Sequence, residues 1–111
     1  MVTQIRNRGI VAQVTDALPI ALFRALADPN RIALIAWLAR QRGPKTVSEI
    51  VESGCCQVDF SVVSRHLRML REVGALAAER QGREVRYQLS AASLAKTLRQ
   101  IADVLDTCCK E

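Results

Sequence analysis

With 111 residues, half of them apolar, the chain has hydrophobic material for one globular domain and too little for two. A net charge of +5 and an isoelectric point near 9.5 point to polyanions as partners. No run of about 18 apolar residues is present to span a bilayer, and the opening MVTQIRNRGIVAQVTD lacks the apolar stretch and cleavage site of a secretory signal. A cytoplasmic protein with no membrane partner is therefore expected.

Residues 1–14 read as an arm or short extra helix ahead of a domain covering 15–111. From about residue 15, TDALPIALFRALA spaces Leu18, Leu22 and Leu26 as a helix does, with Thr15 or Asp16 placed to cap it. DPNRIALIAWLARQRGP begins with Asp28 as cap and Pro29 at the first helical position, and stops at Gly43-Pro44. Ile32, Leu34, Ile35, Trp37 and Leu38 make this helix apolar on most sides, which predicts neighbours around it, with Trp37 in the core. TVSEIVES carries a capping box of Thr46 and Glu49 and is closed by Gly54.

After the short connection CCQVDF comes DFSVVSRHLRMLREVG, capped by Asp59 and terminated by Gly74. Val63, Leu67 and Leu70 fall inward, whereas Ser61, Ser64, Arg65 and Arg68 fall largely outward. Two helices joined by a short turn, the second polar and basic on its free face, predict a helix-turn-helix. ALAAERQGREVRYQL then changes period: Val85, Tyr87 and Leu89 alternate with polar residues, and Gln81-Gly82 supplies a turn, so a basic hairpin, or wing, follows directly. Arg65, Arg68, Arg71, Arg80, Arg83 and Arg86 all fall within this region.

SAASLAKTLRQIADVLDTCCKE returns to helical spacing, with Leu94, Leu98, Ile101, Leu105 and Cys108 along one stripe. An apolar stripe on the last helix invites pairing with a second copy, the first main helix joining the interface. The fold class expected is mainly α with a small β-hairpin: a winged helix-turn-helix that dimerises through its first and last helices.

In LFRALADPNRIALIAWL, VSRHLRMLREVGAL and RQGREVRYQL, taken in this order, the sequence resembles the ArsR/SmtB family of metal-sensing winged-helix repressors, over roughly residues 20–107. The resemblance implies a homodimer that binds a double-stranded, inverted-repeat operator and releases it when an inducer binds. In that arrangement Ser61, Ser64, Arg65 and His66 are the candidates for bases or adjacent phosphates. Arg68, Arg83 and Arg86 are the candidates for phosphates, which give affinity and salt dependence without sequence choice. His66, the one histidine in the chain, has no second histidine at ligand spacing, so a metal role is not expected of it.

The four cysteines form two adjacent pairs, Cys55-Cys56 and Cys108-Cys109, with neither zinc-finger nor C-x-x-C spacing. The last helix has no histidine and TVSEIVES no cysteine, so this chain departs from the zinc-type and C-x-C patterns of the family. Thiolates prefer soft ions. Trivalent arsenic or antimony and methylarsenite are the expected inducers, with cadmium, lead and mercury as alternatives, and no organic cofactor. Vicinal cysteines near the carboxyl terminus are similar to those of arsenic-sensing relatives. Both pairs, one in a free turn and one at a helix end, are candidate ligands, either as one site shared between protomers or as separate sites. A thiol-redox or persulfide sensor of the same fold and a constitutive architectural DNA binder are the other readings; an enzyme is not expected, since no thiol has a candidate base or C-x-x-C partner.

Overall fold

The computed structural model describes residues 18–108, apart from the Cys108 side chain. The element order is α1 (Ile20–Leu26), α2 (Pro29–Ala39), β1 (Lys45–Thr46), α3 (Val47–Ser53), α4 (Phe60–Glu72), β2 (Leu76–Gln81), β3 (Glu84–Leu89) and α5 (Ala91–Cys108). Among the described residues no helix is long and apolar enough to cross a membrane.

Local chemistry sets most boundaries. The Asp28 carboxylate accepts from the backbone N–H groups of Asn30 and Arg31 at 2.8 and 3.1 Å, with Pro29 next to it in the chain. Thr46 and Glu49 form the reciprocal capping box, and Gly54 ends α3 in the left-handed region at φ 70°. At the far end of α4, Gly74 adopts φ 82°, which lets the Ala75 N–H return to the Leu70 carbonyl at 2.9 Å and the Gly74 N–H to Arg71 at 3.0 Å. These paired bonds satisfy two carbonyls that the helix end would otherwise leave open, and they turn the chain straight into β2.

Two boundaries differ from the sequence reading. The first helix starts at Ile20 with Pro19 at its cap position and no side-chain cap bond; Thr15 and Asp16 lie outside the described residues. The second ends at Ala39 rather than at Gly43-Pro44.

The wing is a three-stranded antiparallel sheet in the order β1-β3-β2, where only a hairpin was expected. Lys45 lies opposite Tyr87 and Thr46 opposite Arg86, so the residue that caps α3 also anchors the far edge of the wing.

One core gathers Leu22 and Ala25 of α1, Leu34 and Leu38 of α2, Ile50 of α3, Val63, Leu67 and Leu70 of α4, and Ala75, Leu76 and Tyr87 of the wing. Leu34, Ile50, Val63, Leu67 and Leu70 are fully enclosed, each stabilising the fold by about 1.5–3 kcal/mol relative to exposure. The second helix is not apolar-covered all round. It packs on α1, α4 and β3, Trp37 is half-buried against the core, and Ile32 on its outer side remains 47% exposed. On α5, Leu94 packs against the core and Ile101 is buried outside the core cluster, while Leu98 and Leu105 are each 44% exposed.

Candidate nucleic-acid interface and thiol turn

Ser61, Ser64, Arg65 and Arg68 recur at three- and four-residue spacing, which places them on one face of α4, opposite the enclosed Val63, Leu67 and Leu70. Between this helix and the wing runs an open groove of about 390 Å³, lined by Thr46, Val47, Ser48, Phe60, Ser64, Arg68, Arg83, Glu84, Val85 and Tyr87. The fold thus brings Ser64 and Arg68 of the helix together with Arg83 of the wing turn. Gly82, at φ 64°, is what allows that turn to be tight. Ser48 and Phe60 line the same groove and were not singled out from the sequence; the signal for Phe60 was its position directly after the cap of a basic helix.

The remaining predicted residues have other partners. Ser61 is exposed and its hydroxyl donates to the Asp59 carboxylate at 3.0 Å. The Val62 backbone N–H and this hydroxyl hold the Asp59 carboxyl below the usual carboxylate range. Arg65 is exposed and, with Arg31, Val62, His66 and Met69, borders a separate depression beside the groove face. Arg86 lies away from the groove: its guanidinium donates to Glu84 of the same strand at 3.3 Å, and it borders a small hollow with Pro44, Ala77, Ala78, Glu79 and Gln88. Its Nε is buried with no hydrogen-bond partner among the described residues.

His66 is tied into the fold. Arg31, with a side chain 12% exposed, donates from Nη1 to His66 Nδ1 at 3.1 Å, from Nη2 to the Arg24 carbonyl at 3.3 Å, and from Nε to the Ala25 carbonyl. A guanidinium has only donors, so Nδ1 must present its lone pair and the imidazole carries its proton on Nε2. Burial pushes the His66 pKa below its ordinary value; Asp28 opposes this, and Arg31 and Arg65 add to it. One half-buried arginine therefore joins the end of α1 to the middle of α4 and holds the basic face in place.

The turn between α3 and α4 carries Cys55 and Cys56, both free thiols and both half-buried. The sequence reading left this pair free in its turn; the structure instead packs both side chains against the core. Ser53 closes the turn by accepting from the Cys55 N–H at 3.2 Å, and the Cys55 thiol points to the Ile50 carbonyl at 3.9 Å. Burial, with the neighbouring Cys55 adding to it, pushes the Cys56 thiol up to about 11. Among the described residues no three His, Cys, Asp or Glu side chains are grouped to hold a metal ion. Cys109 and the side chain of Cys108 lie outside the described residues.

Residues 28–76 match the family model described as bacterial regulatory protein, arsR family. The chain is 41% identical over 69 residues to the HTH-type transcriptional repressor SmtB of Mycobacterium tuberculosis, a match covering 62% of this chain and 48% of that protein. It is 40% identical over 75 residues to the arsenical resistance operon repressor of Escherichia coli K12, covering 66% of this chain and 60% of the relative. The chain thus spans about half to three fifths of the length of these curated relatives. An ArsR-like transcriptional regulator from Rhodococcus sp. RHA1 superposes with a TM-score of 0.67 at 25% identity, over 89% of this chain and 85% of that one. At that coverage the likeness extends beyond residues 28–76. Residues 28–76 are thus a helix-turn-helix domain of the arsR family of bacterial regulatory proteins, and in this chain a wing follows it.

Proposed function

We propose that this protein is a DNA-binding transcriptional repressor acting as a homodimer in the cytoplasm, released from its operator when a soft metal or metalloid ion is captured by cysteine. The observation that carries the reading is the groove joining Ser64 and Arg68 of α4 to Arg83 of the wing. A helix face flanked by a basic wing is suited to a major groove and its bordering phosphates. Arg65 extends that face, and Ser61 sits at its amino-terminal end. His66, held through Nδ1, offers only its Nε2 edge, and Arg86 adds positive potential from the reverse side of the wing.

Pairing through α1 and α5 is supported by the exposed Ile20, Phe23, Leu98 and Leu105. Two copies related by a twofold axis would present two such helices to an inverted repeat, with half-sites about one helical turn apart. The chemistry of the donor set favours a thiophilic inducer, and the matched E. coli repressor is named for arsenical resistance. Cys55 and Cys56 would supply two sulfurs, and Cys108 and Cys109 are the proposed further donors. Trivalent arsenic or antimony would supply affinity for thiolates. The Cys56 thiol is held protonated; its proton passes to solvent when a divalent ion such as cadmium or mercury is captured, so that binding strengthens with rising pH, and leaves with a hydroxide as water when arsenous or antimonous acid is captured. The pair stands in the turn that starts α4, so ligation there bears on the placement of the DNA-facing helix. A coupling of about 1–3 kcal/mol between the two ligands is usual for such systems.

The test is release of a bound operator duplex by arsenite, antimonite, methylarsenite, cadmium and mercury, repeated with Cys55→Ser/Cys56→Ser and Cys108→Ser/Cys109→Ser. Release by at least one of these and its loss in at least one double variant are expected. A response that neither double variant alters refutes the thiol mechanism, and failure to bind any duplex refutes the repressor.

A further inference from the structure

Phe60 is the first residue of α4 and is 52% exposed. Its position is set by Asp59, whose carboxylate caps the helix through the Val62 N–H at 3.0 Å. The other exposed large apolar side chain of this helix, Met69, lies beside a depression away from the wing. Phe60 instead faces the groove, in company with the apolar Val47 and Val85 and with Ser64, Arg68 and Arg83. The groove therefore combines an apolar patch with cationic side chains, an arrangement that a purely phosphate-binding surface does not need.

The edges of base pairs in the major groove present hydrogen-bonding atoms and one apolar group, the C5 methyl of thymine. The amino-terminal residues of a helix docked in that groove are the ones that reach base edges. Resting on the DNA-binding function proposed above, we infer that Phe60 is a specificity-determining residue that packs against a thymine methyl while Arg68 and Arg83 hold the adjacent backbone. Ser61 and Ser64 supply polar contact but cannot discriminate a methyl, so this selection falls to the phenyl ring.

The test compares duplexes that differ by that methyl alone. A high-affinity duplex is selected from random-sequence DNA with the full chain, and each thymine is then replaced singly by deoxyuridine. At one thymine per half-site the wild type loses about fourfold in affinity, the change expected when one methyl group is no longer taken out of water. Phe60→Ala binds the parent duplex more weakly and no longer distinguishes thymine from deoxyuridine there, while Phe60→Leu keeps part of the distinction. Because the ring is half in solvent, the unfolding midpoint of both variants stays near that of the wild type.

Equal discrimination by wild type and Phe60→Ala at every position overturns the inference, and so does a duplex insensitive to every deoxyuridine. A Phe60→Ala protein whose sedimentation shows an altered oligomer also overturns it, since the ring would then serve a protein contact. In each of these cases duplex binding itself stands. A wild type that selects no duplex sinks the DNA-binding function and this inference together.

Discussion

Replacing Arg31 by Met tests the claim that a single guanidinium fixes the DNA-facing helix. Methionine keeps much of the aliphatic stem, so the loss is in hydrogen bonding rather than in packing. The substitution removes donors from the Arg24 and Ala25 carbonyls and from His66 Nδ1. Bonds involving a charged partner contribute about 1.5–3 kcal/mol each in favourable cases. The three share one rigid fork and are not additive, and the two carbonyls sit at a helix end where water reaches them after the change. A loss of about 3 kcal/mol is therefore expected, a large part of a total stability on the order of 5–15 kcal/mol. Arg31→Lys should recover little of it, because one ammonium cannot reproduce a planar fork spread over three acceptors. The assay is urea unfolding at fixed protein concentration, since a dimer's apparent stability depends on concentration. A double-variant cycle with His66→Phe should show a coupling of about 1 kcal/mol. A loss below about 0.5 kcal/mol for Arg31→Met, or no coupling to position 66, refutes the reasoning.

Two further expectations concern protons. The His66 pKa is depressed below 6.5 in the folded chain, so on acidification the unfolded state takes the proton first. Its contribution is complete above 6.5 and is lost as pH falls through the lower folded value. The urea midpoint of the wild type should therefore fall between about pH 7.5 and about pH 5.5 more than that of His66→Gln; equal slopes would dismiss the half-buried neutral imidazole. The depressed carboxyls of Asp28, Glu49 and Asp59 act below their ordinary values of 3.8, 4.5 and 3.8 and do not overlap this window. Cys56, pushed up to about 11, carries little of the reactive thiolate at about pH 8, whereas an unfolded cysteine carries a substantial fraction. Its alkylation by iodoacetamide, followed by tandem mass spectrometry, should be at least about tenfold slower in the native chain than in urea. Equal rates would mean the thiol is not shielded.

What sequence alone determined was whatever acts over three or four residues. The caps at Asp28 and Asp59, the Thr46 and Glu49 box and the left-handed Gly74 each satisfy backbone groups within one turn. Residue type and spacing suffice for these. The inward Val63, Leu67 and Leu70 followed from helical period, and the wing from the alternation around Tyr87. Contacts between distant segments were decided by the tertiary structure. Strand β1 has two residues and no period of its own; it exists because β3 offers it an edge. The bond from Arg31 to His66 spans 35 positions, and only the packing of α2 against α4 brings the two together. Tertiary packing also half-buries the Cys55-Cys56 turn against the core, sets Arg86 in a hollow apart from the groove and leaves Phe60 lining it. A side chain's type states what it is able to bind, but its surroundings, assembled from the whole chain, determine its protonation, its exposure and which partners reach it.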